Sequence, residues 1–319
     1  MKFIMAHPAI KRFEWEDDVA ITNLVTLGVS PQDIIVLMRE GDPLVPQRIR
    51  DRFGINVFTF PDTMSLQAKQ YIPAIRPWLW WQFLSKYPEY ENEDFMYQDS
   101  DIIYRRIPNF NKMPVSNNHW YCADTESYTG PDYINSKGGT LLRDIGAFMG
   151  LSVDQMWSFK GTGGGAQWVI SHPKAEYWKD VYNYSYRLYG WFKSIEGSYI
   201  QMYKREGRPN EYPIQSWCAE MYAELYLCAK YGIHTEISDE LNFAWSTDLV
   251  DSYSKNRNIL HNAGVTFELY QSQKLFYKGL YDSRTPFTED LSWVNPLYMS
   301  KEYVDAIQKT KDKGGVTTE

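Results

Sequence analysis

Long apolar runs are missing from this chain. No stretch of about 18 uncharged apolar residues occurs, so no membrane-spanning helix is expected. Cysteine is scarce: Cys122, Cys218 and Cys228 form no CxxC spacing and cannot all pair. That argues against a zinc site or a disulfide scaffold and for a reducing compartment. The apolar stretch within Met1–Pro8 is too short for a signal peptide and reads as a first strand, so a cytoplasmic location is expected. There is no P-loop, no GxGxxG after a strand and no internal repeat. Excess positive charge is lacking too. The net charge of −7 counts against bulk electrostatic binding of nucleic acid. Residues 174–208 depart from this, with seven basic and four acidic side chains, which leaves the remainder near −10.

The 319 residues present are enough for one large α/β domain or two smaller ones. Hydrophobic residues at 44% and charged residues at 23% are ordinary for a folded protein. Aromatics are in excess, with 25 Tyr and 12 Trp. Two readings stand: groove walls that stack on rings or sugars, or simply a Tyr-rich surface.

The first hundred residues alternate as an α/β unit does. Strands are expected at Lys2–Met5, Asp33–Met38 and Ile55–Phe60, and helices over Trp15–Leu27, around Gln47–Phe53 and over 69–86. In the second half, Trp120–Cys122 and Gln167–Ile170 read as strands. Leu141–Gly150 reads as a helix with a Gly cap, and 174–204 and 214–231 also read as helices. The Gly161–Gly165 run reads as a flexible loop. The expected fold is a doubly wound, mostly parallel sheet with helices on both faces, in one domain over 1–308. Its halves are 1–110, for the donor, and 111–308, for the acceptor. The polar tail 309–319 is expected to be disordered.

Ligands of such a sheet bind at the carboxyl ends of its strands. There lies Tyr97-Gln98-Asp99-Ser100-Asp101-Ile102, with two carboxylates two residues apart. Hard oxygen donors at that spacing suit Mn²⁺ or Mg²⁺, which in turn can hold a diphosphate. His261, in Leu260-His261-Asn262-Ala263-Gly264, is a candidate third ligand or a hydrogen-bonded strand end. Lys278 can lie across a diphosphate as a point charge. Gly164 and Gly165 allow close backbone approach, and Gln167 can hydrogen-bond sugar hydroxyls or base edges. Trp217 completes the expected substrate-binding set. Asp124, Glu220 and Asp248 are candidates for the base that deprotonates an acceptor hydroxyl.

The Asp-x-Asp at a strand exit, followed late by His-x-x-Gly and a Lys, resembles the GT-A glycosyltransferases. The resemblance implies that Asp101 and His261 ligate Mn²⁺ or Mg²⁺, and that Asp99 meets metal, ribose or donor sugar. Ala6, His7, Lys69, Arg76, Ser100 and Lys278 would contact the nucleotide sugar, with UDP the expected nucleotide. Lys278 lies farther from His261 than in the compact His-x-x-Gly-x-x-Lys of glycogenin-like families. Residues 124–137, Gly-Gly-Ala-Gln, Ile214–Glu220 and Asn242–Asp248 resemble a bacteriophage-encoded group. Some of its members glycosylate hydroxymethylpyrimidines in DNA, which makes phage DNA the implied acceptor and the host cytoplasm the implied location. The basic aromatic stretch 174–208 would then stack on a flipped base; otherwise it is an amphipathic helix with a solvated face. The alternatives are a saccharide or protein acceptor, a non-catalytic GT-A-like binding protein, and a nucleotidyltransferase. Residues 6–14 lack the glycines of the last. No membrane partner is expected; the donor sugar, stereochemistry and oligomeric state are not specified by sequence.

Overall fold

The computed structural model describes residues 1–313. Its strands are β1 (Lys2–Pro8), β2 (Ile34–Arg39), β3 (Asn56–Phe60), β4 (Asp94–Tyr97), β5 (Ile102–Tyr104), β6 (His119–Asp124), β7 (Gly164–Ser171), β8 (His234–Ile237), β9 (Phe243–Trp245) and β10 (Ile259–His261). Helices of eight or more residues are α1 (Lys11–Thr26), α2 (Leu44–Phe53), α3 (Ile75–Lys86), α4 (Leu141–Met149), α5 (Ala175–Arg205), α6 (Ala219–Leu227) and α7 (Ser300–Asp312). The α/β class expected from the sequence is therefore the class observed. No described helix is long and apolar enough to cross a membrane.

The chain divides into two compact units that interleave in sequence. One comprises 1–61, 97–112 and 240–319, and the other 62–96 and 113–239. In the first unit β1, β2 and β3 pair in parallel in the order β3-β2-β1. The Ile-Ile-Val-Leu-Met run of β2 is wholly buried, as a central parallel strand requires. A smaller sheet of order β5-β10-β9 stands on a core that includes Trp15, Leu260, Phe276, Tyr281 and Tyr303. Trp15 on α1 donates its indole N–H to the Tyr281 carbonyl at 3.0 Å. Asn23 clamps β5 from the same helix, donating to the Tyr104 carbonyl and accepting from the Tyr104 N–H.

In the second unit the strand order is β4-β7-β6-β8, with β6 parallel to β8 and antiparallel to β7. Helix α5 packs against α3 and α6, and the rings of Trp80 and Trp178 stack at 4.8 Å. Six of the twelve Trp are less than 2% exposed across the two units. Much of the aromatic excess is thus core packing and not groove wall.

Several elements differ from expectation for local reasons. Helix α3 starts at Ile75, after a 3₁₀ turn at Ile72–Ala74, because Pro77 is tolerated only in a first turn. Gly150, with φ of 74°, caps α4 as expected. The Gly run is not all loop, since Gly164 and Gly165 open β7. The tail read as disordered from Lys309 remains helical to Asp312, because Thr310 extends the buried face of Tyr303, Val304 and Ile307. The rest of that tail, 314–319, lies outside the described residues.

Candidate metal and diphosphate site

The first unit places a charge cluster where β4 gives way to β5. Beyond β4, Gln98 donates its backbone N–H to the Ile4 carbonyl, so the turn Asp99-Ser100-Asp101 starts alongside β1. Strand β5 then pairs antiparallel with β10 and sets Ile102 opposite His261. The Asn262 N–H donates to the Asp101 carbonyl at 2.9 Å and locks that register. Strand register alone therefore brings residues 160 positions apart into one site.

His261 Nε2 lies 3.3 Å from Asp101 Oδ1 and 3.6 Å from Asp99 Oδ2. One ligand atom from each of the three residues falls within 4.8 Å of the others. The ring of His261 stacks on Trp245 at 5.4 Å and meets Phe243 edge-on. Its Nδ1 is buried and has no hydrogen-bond partner among the described residues. Two carboxylates and an imidazole in this arrangement fit a divalent metal ion.

A second layer of charge backs the cluster. The Lys278 ammonium contacts Asp101 Oδ2, the oxygen not turned toward His261. Ser100 donates its hydroxyl to Glu16 at 2.7 Å, and Arg12 donates to Glu16 at 3.1 Å. Burial by itself would raise the Asp101 carboxyl, but Lys278 and His261 outweigh it and hold the group far below the usual carboxylate range. For Lys278, burial works toward neutrality, and Asp101 and Glu16 reverse it, so its pKa is raised. Glu16 shifts upward because burial exceeds the pull of Lys278.

Other residues singled out in sequence take definite places. Ala6 and His7 are buried in β1. His7 sits between the Pro8 carbonyl and Asp17 Oδ1, at 3.2 and 2.9 Å. Both ring nitrogens are thus engaged. Burial lowers its pKa, Asp17 outweighs this, and the net shift is upward. Asp248 accepts the Trp245 N–H on Oδ2 at 2.9 Å and so closes the turn after β9.

The remaining expected residues belong to the second unit. Glu220 is 1% exposed and receives Arg76 at 2.6 Å, which engages both a candidate base and a candidate phosphate ligand. Lys69 pairs with Asp62 at 3.0 Å. Asp124 is exposed and lines an open depression with Glu126, Ser127, Asp132, Tyr133 and Ser136. Gly164 owes its identity to packing: a Cβ there would lie 2.2 Å from Cys122 Sγ and 2.4 Å from the Ala123 carbonyl oxygen. At Gly165 the added atom would meet Met221 at 2.7 Å. Gln167 is fully buried, and neither of its amide atoms has a hydrogen-bond partner among the described residues. Trp217 is 59% exposed and meets Tyr71 edge to face.

Sequence reasoning missed the acidic row on α1. Glu14, Glu16, Asp17 and Asp18 were not singled out, yet all four are buried. Each is matched, by Arg48, Arg12, His7 and Arg52 respectively. Buried charges require such partners. The available signal was the run itself, since Glu-Trp-Glu-Asp-Asp sits on the helix that must cover the sheet.

No family model and no curated protein matches the chain. Solved structures do match. The WbbM bifunctional glycosyltransferase, in its apo structure, aligns over 97% of this chain with 9% identity and a TM-score of 0.46. The chain spans 49% of that protein, about half its length. The galactosyltransferase LgtC, solved with donor and acceptor sugar analogs, aligns over 99% of this chain and 100% of its own, at 10% identity and a TM-score of 0.43. An active-site mutant of LgtC aligns over 97% and 96%, at 10% identity and 0.45. Likenesses this distant do not assign the chain to a family.

Proposed function

We propose that the chain is a metal-dependent GT-A glycosyltransferase, moving a sugar from a nucleoside-diphosphate sugar, with UDP as the nucleotide, to an acceptor hydroxyl. The observation that carries this reading is the convergence of Asp99, Asp101 and His261 within 4.8 Å, with Lys278 on Asp101. In this reading Asp101 and His261 hold Mn²⁺ or Mg²⁺, with Asp99 as third ligand or as contact to the ribose or donor sugar. The bound ion supplies Lewis-acid neutralisation of the departing diphosphate. Lys278 adds a cation at the other oxygen of Asp101, and Ser100, tied to Glu16, keeps the turn in place. Asp248 is the candidate base in the same unit as the cluster. It lies three residues beyond Trp245, whose ring stacks on His261, and only its Oδ2 is committed to the Trp245 N–H.

The finer acceptor assignment, a hydroxymethylpyrimidine in phage DNA, rests on the sequence resemblance alone. Tyr177, Trp178 and Tyr182 of α5 are buried, and Lys174, Lys179, Lys193 and Arg208 are ion-paired. The helix therefore lends that acceptor less support than its composition does, and a saccharide or protein hydroxyl suits the −7 charge better.

A thermal-shift titration with UDP, ADP and GDP, with and without Mn²⁺, tests the reading. Ligand at a hundred times its Kd stabilises by about 2.7 kcal/mol. We expect UDP to raise the melting temperature only with Mn²⁺, and the rise to vanish in Asp101→Asn. A shift that is indifferent to metal and survives in that variant removes the metal assignment.

A further inference from the structure

Lys278 is held by its backbone and not merely by its charge. It opens a 3₁₀ turn, Lys278–Tyr281, between Phe276 and Tyr281, which stack on each other at 5.3 Å inside the core. The Phe276 N–H donates to Ser300 Oγ at 2.7 Å. The ammonium is thus delivered to Asp101 by a turn anchored in the core, and its side chain is only 24% exposed. Asp101 offers one oxygen to His261 and the other to this ammonium. The cluster as a whole holds three carboxylates (Asp99, Asp101, Glu16) and two cations (Lys278, Arg12), with Arg12 also reaching the exposed Asp282. A divalent ion on the His261 side would turn this set, Asp282 apart, from net negative to net positive. A diphosphate would restore the negative balance and give the ammonium a second partner.

Building on the metal-dependent reading above, we infer that Lys278 and a divalent cation compete for Asp101, and that a diphosphate relieves the competition. The bare cluster then binds the cation weakly. Diphosphate and cation bind cooperatively, and by linkage each tightens the other by the same factor. Lys278 is the residue through which that coupling passes, in addition to any contact of the ion with the diphosphate itself.

The test is Mn²⁺ binding by the full chain, followed by electron paramagnetic resonance of free Mn²⁺, in the absence and presence of UDP. Lys278→Met and Lys278→Gln are compared with the unmodified protein, and Asp101→Asn reports which binding belongs to this site. Circular dichroism and melting curves verify folding, and the two variants differ in polarity so that one packing defect does not decide the result. Without UDP, both Lys278 variants should bind Mn²⁺ at least tenfold more tightly than the unmodified protein. The gain from UDP should shrink at least tenfold in both. If Mn²⁺ binding depends on Asp101 but is unchanged or weaker in both Lys278 variants, the competition is refuted and the metal site stands. If no form binds Mn²⁺ in an Asp101-dependent way, with or without UDP, the metal reading falls and the competition with it.

Discussion

Gln167 carries two polar groups in a place where polarity is costly. Its amide is buried without hydrogen-bond partners among the described residues, beside Ala166, whose φ of 61° lies in the left-handed region. Between Cys122 and Ala123 the β6–β7 register shifts, with Trp168 and Gly165 opposite them, so Ala166 and Gln167 lie in a bulge. An unsatisfied buried amide costs about 1–3 kcal/mol. The near-isosteric Gln167→Met should therefore stabilise the fold and raise the melting temperature by ~2–4 °C in a thermal melt. A lowered melting temperature would show that the amide finds partners in solution. At this scale the sequence was most informative for Asp99, Asp101 and His261, because metal-binding chemistry limits the residue types to oxygen and nitrogen donors. It was uninformative for Glu16, because a Glu on a helix is ordinarily solvated. The partners that bury it, Arg12 and the Ser100 hydroxyl, are visible only once α1 lies against the turn after β4.

Among elements, β7 shows a motif that reads one way and folds another. Three consecutive glycines suggest a mobile loop, yet Gly164 is needed where β7 crosses β6. Gly164→Ala would drive a methyl into Cys122 Sγ and the Ala123 carbonyl, a backbone atom that cannot step aside. We expect a loss of about 1–3 kcal/mol or more in urea unfolding. Gly139→Ala, which meets nothing within 4 Å, serves as the control with little effect; equal losses in the two would refute the packing account. The segment after β5 is fastened by charge instead. Glu240 receives Arg106 and Lys112, each at 2.8 Å, and the Asn109 N–H at 3.0 Å. Its hydrogen bond to Arg106, foremost, outweighs burial and lowers its pKa to about 2. Since the folded value lies below the unfolded one, this contribution is present above pH 4.5 and is lost as pH falls toward 2. Because both cations are largely exposed and screened, Glu240→Gln should cost only about 1–3 kcal/mol at pH 7. Melting curves of variant and parent should converge as the pH approaches 2; a gap of constant size would exclude the electrostatic origin.

For the molecule as a whole, composition sets charge and aromatic content, and folding decides where each is placed. The net charge of −7 predicts no tight, purely electrostatic binding of DNA. Anisotropy titration with a hydroxymethylated duplex at about 150 mM salt should give an affinity no better than the non-specific range of about 10⁻⁴–10⁻⁶ M. Tight binding that falls steeply with salt, and falls again in Lys204→Glu with Arg205→Glu, would instead restore the DNA acceptor. What the sequence by itself determined is the α/β class, most element positions in the first hundred residues, and the residue types of the cation cluster. Strand periodicity, buried β-branched runs and donor chemistry are local properties, written in neighbouring residues. Tertiary structure alone decided what each carboxylate meets: Glu220 meets Arg76, Asp248 a backbone N–H on one oxygen, and Asp101 both His261 and Lys278. The division into interleaved units, the burial of half the Trp and the role of Gly164 belong there too. All of these depend on contacts between residues far apart in the chain, and such contacts leave no periodic trace in a single sequence.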